Sequence, residues 1–193
     1  MWDRSEAALK AALEAHDHPY TVNEGDGAFY GPKIDFLVRD ALKREHQIGT
    51  IQLDYVLPER FSLKYIAADN SEQRPVMIHR AMLGSLERFI GLLIEHCGGA
   101  FPLWLAPEQV RVLPITDRTM DYAEQLRTSL ATAGLRVTVD RRNEKIGAKI
   151  REAQLEKIPY MLVVGDKEAE SGSITVRSRK DGDLGTSSLV VFI

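Results

Sequence analysis

Residues 75–89 read PVMIHRAMLGSLERF, and this stretch predicts the architecture of the first half of the chain. Residues 76–79 are mainly apolar, which predicts a short strand. From residue 83 to residue 97 the apolar side chains recur at the three- and four-residue spacing of an amphipathic helix. Gly98 and Gly99 end the helix, because glycine accepts the left-handed conformation common after a last helical turn. We therefore expect a strand that turns directly into a helix.

Two segments upstream alternate apolar and polar residues, as half-buried strands do. Residues 33–39 and residues 49–55 each place three apolar side chains on one face. A short charged segment joins them, so we expect two adjacent antiparallel strands. Residues 2–15 are rich in Ala, Leu, Glu and Lys and predict a helix, whereas residues 16–31 contain three glycines and a proline and predict a loop.

The pattern changes after residues 101–107, a connector with proline and tryptophan, and we place a domain boundary there. Beyond it, strands and helices alternate, which predicts an α/β domain with a partly parallel sheet. The predicted strands are residues 110–115, 135–139, 160–164 and 173–177, and the predicted helices are residues 117–133, with Asp117 as N-cap, and 145–157. Residues 189–193 predict the first turn of a helix at which the chain is truncated. The fold class is α/β with an α+β first part, in domains 1–106 and 107–193.

Composition excludes several classes of protein. The 193 residues are 44% hydrophobic and 27% charged, as in an ordinary globular protein, and no apolar run is long enough to span a membrane. The N-terminus lacks the apolar core of a secretory signal, and the single cysteine, Cys97, excludes an internal disulfide. These features predict a cytoplasmic protein.

Positive charge is concentrated in the second half. Residues 1–106 carry a net charge of −4 and residues 107–193 a net charge of +1. Six basic side chains lie within sixteen residues: Arg136, Arg141, Arg142, Lys145, Lys149 and Arg151. Such a stretch permits nucleic-acid contact, but charge alone favours a solvated helix face.

Five stretches, in order along the chain, resemble signature stretches of the threonyl-tRNA synthetases, which are class II aminoacyl-tRNA synthetases. They are GAFYGPKI at 27–34, GTIQLD at 49–54, PVMIHRAMLGSLERF at 75–89, RRNEKIG at 141–147 and VGDKE at 164–168. Several long motifs in order are a far stronger signal than one short pattern. The resemblance implies part of the class II catalytic domain, an antiparallel sheet with the motif 3 helix, followed by an α/β anticodon-binding domain with a mixed sheet.

The resemblance also implies an activity and its partners. Such enzymes activate threonine with ATP and Mg²⁺, transfer it to tRNA-Thr, and act as homodimers in the cytoplasm. The family's motifs 1 and 2 and its editing domain have no counterpart in this sequence. Because catalysis depends on positioning, we expect the chain to be inactive alone, with apolar sheet surface exposed in residues 1–106.

Four side chains match residues of the family's ATP site. Arg88 matches the motif 3 arginine that holds ATP phosphate, where a rigid guanidinium can bind two phosphate oxygens. Gln47, Gln52 and Ser85 match residues that line the ATP pocket. For Gln47 an exposed strand glutamine is an equally good interpretation, and Ser85 could serve helix packing alone.

Further matches concern threonine and zinc. Tyr30 and Gln52 match residues of the substrate site, Tyr30 at the threonine amino group. Lys33 matches a cation near the reacting carboxylate and phosphate, although a surface lysine at a strand start is the plain alternative. His79 matches one of three zinc ligands in a site that recognises the amino and hydroxyl groups of threonine. The other two ligands are absent from this sequence, and Cys97 is predicted to lie in the core, so this chain is not expected to hold Zn²⁺ by itself.

The second domain carries the matches to anticodon readers. Asn143, Glu168 and Arg177 match residues that contact unstacked anticodon bases, whose edges they can donate to or accept from. Lys145, Lys149 and Arg151 are candidates to hold RNA phosphates.

Two alternatives to a ligase fragment remain open from the sequence. One is a stand-alone tRNA-binding or regulatory paralogue without catalysis. The other is a generic nucleotide-binding α/β domain, which the absence of a glycine-rich phosphate loop after residues 110–115 or 135–139 disfavours.

Overall fold

A computed structural model describes residues 2–193. The chain divides into two compact units, Met1–Leu92 and Leu93–Ile193. Among residues 2–193, no helix is long and apolar enough to cross a membrane.

The first unit is built on a small antiparallel sheet, with strand order β1-β2-β5. The other two strands of this unit, β3 and β4, pair with each other in a separate antiparallel sheet. The elements in chain order are α1 (Trp2–Ala15), β1 (Lys33–Arg39), β2 (Glu45–Asp54), α2 (Val56–Arg60), β3 (Tyr65–Ile66), β4 (Glu72–Gln73), β5 (Met77–Met82) and α3 (Leu86–Cys97).

The predicted antiparallel pair of strands is confirmed, with two differences. β2 begins at Glu45 rather than residue 49, and its polar start is held by an ion pair from Glu45 to Arg39. Phe36 pairs with Gly49 and Leu37 with Gln47, so Ile48 is an extra residue that forms a β-bulge.

The first unit leaves much apolar surface uncovered. The buried apolar side chains within residues 2–92 are only Leu53, Pro32 and Pro58. The apolar stripe of α3 is open to solvent, with Leu86, Ile90 and Ile94 exposed by 62%, 50% and 47%. The prediction that Cys97 lies in a core is wrong: it is half-buried at the end of α3, because that helix has no buried face.

The second unit is an α/β domain around a five-stranded mixed sheet of order β10-β9-β8-β6-β7. β7, β6 and β8 are parallel, and β9 and β10 continue antiparallel. The mixed sheet predicted for this half is confirmed. The elements are β6 (Val110–Pro114), a 3₁₀ turn (Asp117–Thr119), α4 (Met120–Thr132), β7 (Val137–Val139), α5 (Ile146–Leu155), β8 (Tyr160–Val164), α6 (Asp166–Ser171), β9 (Ser173–Ser178), β10 (Gly182–Ser188) and α7 (Leu189–Phe192).

Two apolar clusters cover opposite faces of this sheet. One joins Val112 and Leu162 to Leu126 and Leu130 of α4, and the other joins Leu113 and Met161 to Ala153 of α5, with Ile158. A doubly covered sheet explains the nearly continuous apolar runs of β6 and β8.

Several local predictions in the second half need correction. Asp117 is not the N-cap of α4: it begins the 3₁₀ turn, and α4 starts at Met120 without a side-chain cap. α6 and β10 were not predicted, because short polar segments lack apolar periodicity. α7 is helical as expected, and Ser188 caps it by accepting from the Val191 N–H at 3.4 Å.

Candidate functional site

Three of the predicted site residues form one row across the sheet of the first unit. Lys33 pairs with Gln52, and Gln52 pairs with His79, in strands β1, β2 and β5. Directly opposed residues of adjacent strands point to the same face of a sheet. The register therefore brings these three side chains together although 46 positions separate the first from the last.

Tyr30 joins this row from the loop before β1. Its hydroxyl donates to Gln52 Oε1 at 2.5 Å, and its ring lies 5.4 Å, centroid to centroid, from the His79 ring. The turn that carries Tyr30 is tied to β2, because Leu53 N–H donates to the Pro32 carbonyl at 3.1 Å. Tyr30, Gln52 and His79 therefore form one polar cluster with a fixed backbone behind it.

The β-bulge adds Gln47 to the same face. Gln47 lies five positions before Gln52, an odd spacing that would place them on opposite faces of a regular strand. The extra residue at Ile48 reverses the alternation, and Gln47 Nε2 donates to Asp35 Oδ1 at 2.7 Å. Asp35 also pairs with Thr50, whose buried hydroxyl has no hydrogen-bond partner among residues 2–193.

Lys33 is not a free surface cation. Its side chain is 18% exposed, and its ammonium forms ion pairs with Asp35 and, at 3.4 Å, with Asp26. The hydrogen bond that Lys33 donates to Asp35 is the main reason that the pKa of Lys33 is raised, against a smaller opposing effect of burial. Lys33 is therefore charged and held in place, and an incoming anion must compete with these carboxylates.

His79 is oriented by a buried carboxylate that the sequence analysis missed. Its Nε2 lies 2.8 Å from Oδ2 of Asp54, which is fully buried. Asp54 also accepts from the Val56 and Leu57 N–H groups at 2.9 and 3.0 Å. Burial by itself raises the pKa of Asp54, but the hydrogen bonds from His79 and these amides outweigh it and lower the pKa.

This arrangement fits one ligand of a metal site. With Nε2 directed at Asp54, Nδ1 of His79 is the nitrogen left for a metal, and a carboxylate behind a ligating histidine is common in such sites. No group of three potential ligands from His, Cys, Asp and Glu comes together within residues 2–193. The described chain therefore presents one oriented imidazole rather than a complete zinc site.

Ser85 and Arg88 lie where β5 turns into α3. Leu83 and Gly84 both have positive φ, 68° and 62°, which turns the chain sharply. The Ser85 hydroxyl accepts from the Arg88 N–H at 3.2 Å, so Ser85 is the N-cap of α3. Arg88 Nη2 donates to the Gln47 carbonyl at 2.6 Å, which brings this guanidinium beside the bulge.

In the second unit, Asn143 and Lys145 lie in the loop between β7 and α5. Asn143 is exposed and borders a cavity of about 210 Å³ at the carboxyl ends of β6 and β7. Lys145 occupies the N-cap position of α5, and its ammonium has no partner among residues 2–193. An amide and a free cation at a loop between strand and helix suit contact with RNA.

Glu168 and Arg177 are linked through β9. Glu168 accepts from the Gly165 N–H at 2.9 Å and from the Thr175 hydroxyl at 3.0 Å. Burial raises the pKa of Glu168, but these hydrogen bonds outweigh it and lower the pKa, so the group is an ionised acceptor. Thr175 and Arg177 share a face of β9, while no hydrogen bond joins Asn143 to either Glu168 or Arg177 in the described chain.

Arg177 is only partly satisfied. Its Nη1 donates to Asp183 at 2.9 Å, but its Nε is buried and has no partner within residues 2–193. A buried donor without an acceptor is costly, so the bond to Asp183 does not fully satisfy this guanidinium.

The basic stretch between residues 136 and 151 is less available than its sequence suggests. Arg142 is paired with Asp140 and Glu152, and Arg141 with Glu124. Lys149, predicted to hold RNA phosphates, is not a cation of the solvated surface, because it is 4% exposed and bonded to backbone carbonyls. Arg136 is likewise bonded to the carbonyls of Ala106 and Trp104. Of these six cations, only Lys145 and Arg151 have no partner within residues 2–193.

Two protein families match the chain, one in each half. Residues 4–97 match the family described as the tRNA synthetase class II core domain (G, H, P, S and T), and residues 109–193 match the family described as anticodon binding domain.

Whole-chain relatives are threonine–tRNA ligases. The chain is 61% identical over 192 residues to the threonine–tRNA ligase of Syntrophomonas wolfei and 58% identical to that of Acetivibrio thermocellus. Each alignment covers 100% of this chain and 30% of the relative, so the chain spans less than a third of the length of these relatives.

A solved structure shows the same fold. The RNA binding domain of threonyl-tRNA synthetase from Cryptosporidium parvum is 45% identical and superposes with a TM-score of 0.90, over 99% of this chain and 48% of that one. The chain belongs to the threonyl-tRNA synthetase family, of which it represents the C-terminal part: the end of the class II core followed by the anticodon-binding domain.

Proposed function

We propose that the chain is part of a cytoplasmic, homodimeric threonine–tRNA ligase, with residues 1–106 contributing to the aminoacylation site and residues 107–193 binding the anticodon of tRNA-Thr. The parent reaction joins threonine to ATP with loss of pyrophosphate and then moves the threonyl group to the tRNA. The observation that carries the proposal is the cluster of Tyr30, Gln52 and His79, because three family-matched residues meet on one face of the sheet.

The cations act on ATP, which binds with Mg²⁺. Arg88 donates to the Gln47 carbonyl beside the bulge, and its remaining N–H groups bind phosphate oxygens. Lys33 stabilises negative charge near the reacting carboxylate and phosphate. Gln47 and Gln52 provide amide groups to the same pocket, and Ser85 acts there through the helix it caps.

Threonine is recognised on the same face. The Tyr30 hydroxyl accepts from the threonine amino group, and Gln52 holds this tyrosine hydroxyl in position by accepting its hydrogen bond. His79 is the residue that would hold Zn²⁺, through the nitrogen opposite the one bonded to Asp54. Held in the complete enzyme, Zn²⁺ would supply a Lewis acid for the amino and hydroxyl groups of threonine, and valine would be rejected because it offers no oxygen ligand.

The second domain binds the anticodon loop. Asn143 and Arg177 donate to base edges, Glu168 accepts from base N–H groups, and Lys145 contacts phosphate. Glu168 keeps acceptor capacity despite its two intramolecular bonds, because an ionised carboxylate has about four acceptor sites.

Binding to tRNA tests this function. The chain is titrated with tRNA-Thr and with the same tRNA carrying changed anticodon bases, at one stated salt concentration. We expect a clear loss of affinity when the anticodon changes, whereas equal, salt-sensitive binding to both RNAs would reduce the domain to a basic patch. In the same preparation we expect no threonine-dependent ATP–pyrophosphate exchange, and detectable exchange would show that residues 1–106 suffice for activation.

A further inference from the structure

The cavity beside Asn143 contains a buried cation that the proposed function does not use. Lys149, in α5, borders this space of about 210 Å³ and is 4% exposed. Its Nζ donates to the Pro114 carbonyl at 3.0 Å and to the Asp140 carbonyl at 3.2 Å. Pro114 is the last residue of β6 and Asp140 directly follows β7, so the ammonium lies between the ends of two parallel strands.

One donor of this ammonium remains vacant. An ammonium has three N–H groups, and two of them are used by the carbonyls. Lys149 forms no ion pair within residues 2–193, because the nearby carboxylate of Asp140 is bound to Arg142. A buried charged group with a free donor gains most from one further acceptor. The cavity is the space from which such an acceptor can come.

The rest of the wall disfavours a phosphate as that acceptor. Asp117 and Glu144 also border the cavity, and their carboxylates would repel an anion. Arg142 borders it as well, but its guanidinium is engaged by Asp140 and Glu152. A neutral ligand that presents both a carbonyl and an N–H matches this mixed set of donors and acceptors.

The size of the space points to a single ring system. Its volume is below the roughly 300–1,000 Å³ of pockets for drug-sized ligands, so one flat base fits its scale better than a whole nucleotide. Asn143, at its rim, can pair with the edge of such a base.

We propose that Lys149 is a specificity-determining residue for RNA, donating its third N–H to the keto oxygen of one unstacked base seated in this cavity. This inference rests on the proposed function of residues 107–193 as an anticodon reader. Uracil and guanine present a keto oxygen where cytosine and adenine present an amino group. The cavity thus selects a keto base, because an amino group would place its hydrogens against the ammonium.

The test compares affinities for tRNA variants at one fixed salt concentration. Each anticodon base of tRNA-Thr is exchanged in turn between the keto and amino forms, uracil with cytosine and guanine with adenine. The wild-type chain prefers the keto base at one position, and Lys149→Met lowers that preference by about 10- to 100-fold while changing affinity for the other variants little. Arg151→Met, in the same helix but exposed and unpaired in the described chain, weakens all the RNAs alike and keeps the preference.

Each result has a definite meaning. If Lys149→Met folds and keeps the wild-type preference, the inference is wrong and the anticodon-reading function stands. If the wild-type chain distinguishes no anticodon base, both the inference about Lys149 and the anticodon-reading function are wrong. A second measurement needs no variant protein: replacing the selected keto oxygen by sulfur, a weaker acceptor, should reduce affinity of the wild-type chain by about 10-fold. Unchanged affinity for the sulfur-substituted RNA overturns the inference even if Lys149→Met does not fold.

Discussion

Gly31 lies directly against the backbone of Leu53: a Cβ atom at position 31 would stand 1.9 Å from the Leu53 carbonyl oxygen. No side chain can yield to relieve that contact, because both partners are backbone. Gly31→Ala must therefore move the turn that places Tyr30 against Gln52. We expect a loss of about 1–3 kcal/mol in the free energy of unfolding, measured by urea titration with the Tyr30 environment followed by NMR.

Gly91 provides the matched control. A Cβ atom there meets nothing within 4 Å, and the residue lies inside α3. Gly91→Ala should be neutral or raise stability by up to about 1 kcal/mol, since alanine loses less backbone entropy in a helix. Equal destabilisation by both substitutions would contradict the close approach at Gly31.

Ser85 is expected to act mainly through the start of α3. Ser85→Ala removes the hydroxyl that accepts from the Arg88 N–H, and N-cap losses cost about 1 kcal/mol. Amide hydrogen exchange at Arg88 should accelerate by about fivefold, because 1.4 kcal/mol corresponds to tenfold. Ser85→Asp retains a capping oxygen and should keep the slow exchange. Slow exchange in Ser85→Ala would show that the cap contributes nothing.

The sequence predicted most of the strands but not the features that complete the sites. Periodicity located β1 and β8 to the residue, because their alternation or apolar run is regular. It did not predict that Gln47 and Gln52 share a face, since a bulge depends on pairing between strands rather than on local composition. Lys149 appeared in the sequence as one of six similar cations, and only the parallel packing of β6 and β7 buries it.

Asp140 makes the second unit sensitive to acid. The hydrogen bond from Arg142 is the main cause of its lowered pKa; burial opposes it, and Arg142 and Lys149 add further charge attraction. The pKa of such a carboxyl is lower in the folded chain than in the unfolded chain. It therefore stabilises the folded state at pH values above its ordinary pKa of about 3.9. This stabilisation is lost as the pH falls through the pKa of the folded state. Urea midpoints should therefore decline below about pH 4.

The pair of Asp140 and Arg142 can be isolated by substitution. Asp140→Asn should flatten the acid part of the stability profile, and Arg142→Met should flatten it similarly because it removes the main cause of the pKa shift. The double variant should show less than the sum of the two effects, as expected for residues in contact. A wild-type acid slope in Asp140→Asn would exclude this carboxylate as the source.

The uncovered stripe of α3 should promote self-association. Leu86 and Ile90 are four residues apart on one face, 62% and 50% exposed. Exposed apolar patches favour association, so the chain should sediment with increasing mass as concentration rises. Leu86→Lys with Ile90→Lys should suppress the increase. Leu155→Lys, at an exposed leucine of α5, should not, and suppression by that control would place the association surface elsewhere.

Substitutions at Arg177 and Asp183 distinguish a role in RNA recognition from a role in local structure. The Nε of Arg177 is buried without a partner in the described chain, while its Nη1 pairs with the exposed Asp183. If Arg177 donates to a base, Arg177→Gln should weaken binding to tRNA-Thr by about 10- to 100-fold and reduce discrimination at one anticodon position. Asp183→Asn removes a partner whose exposed ion pair contributes little to stability, so it should leave affinity unchanged or raise it by freeing the guanidinium. Both variants are titrated with matched and anticodon-changed tRNA at the same salt concentration. Equal losses from both would mean that the Arg177–Asp183 pair only supports β9 and β10, and Arg177 would then cease to be a candidate anticodon reader.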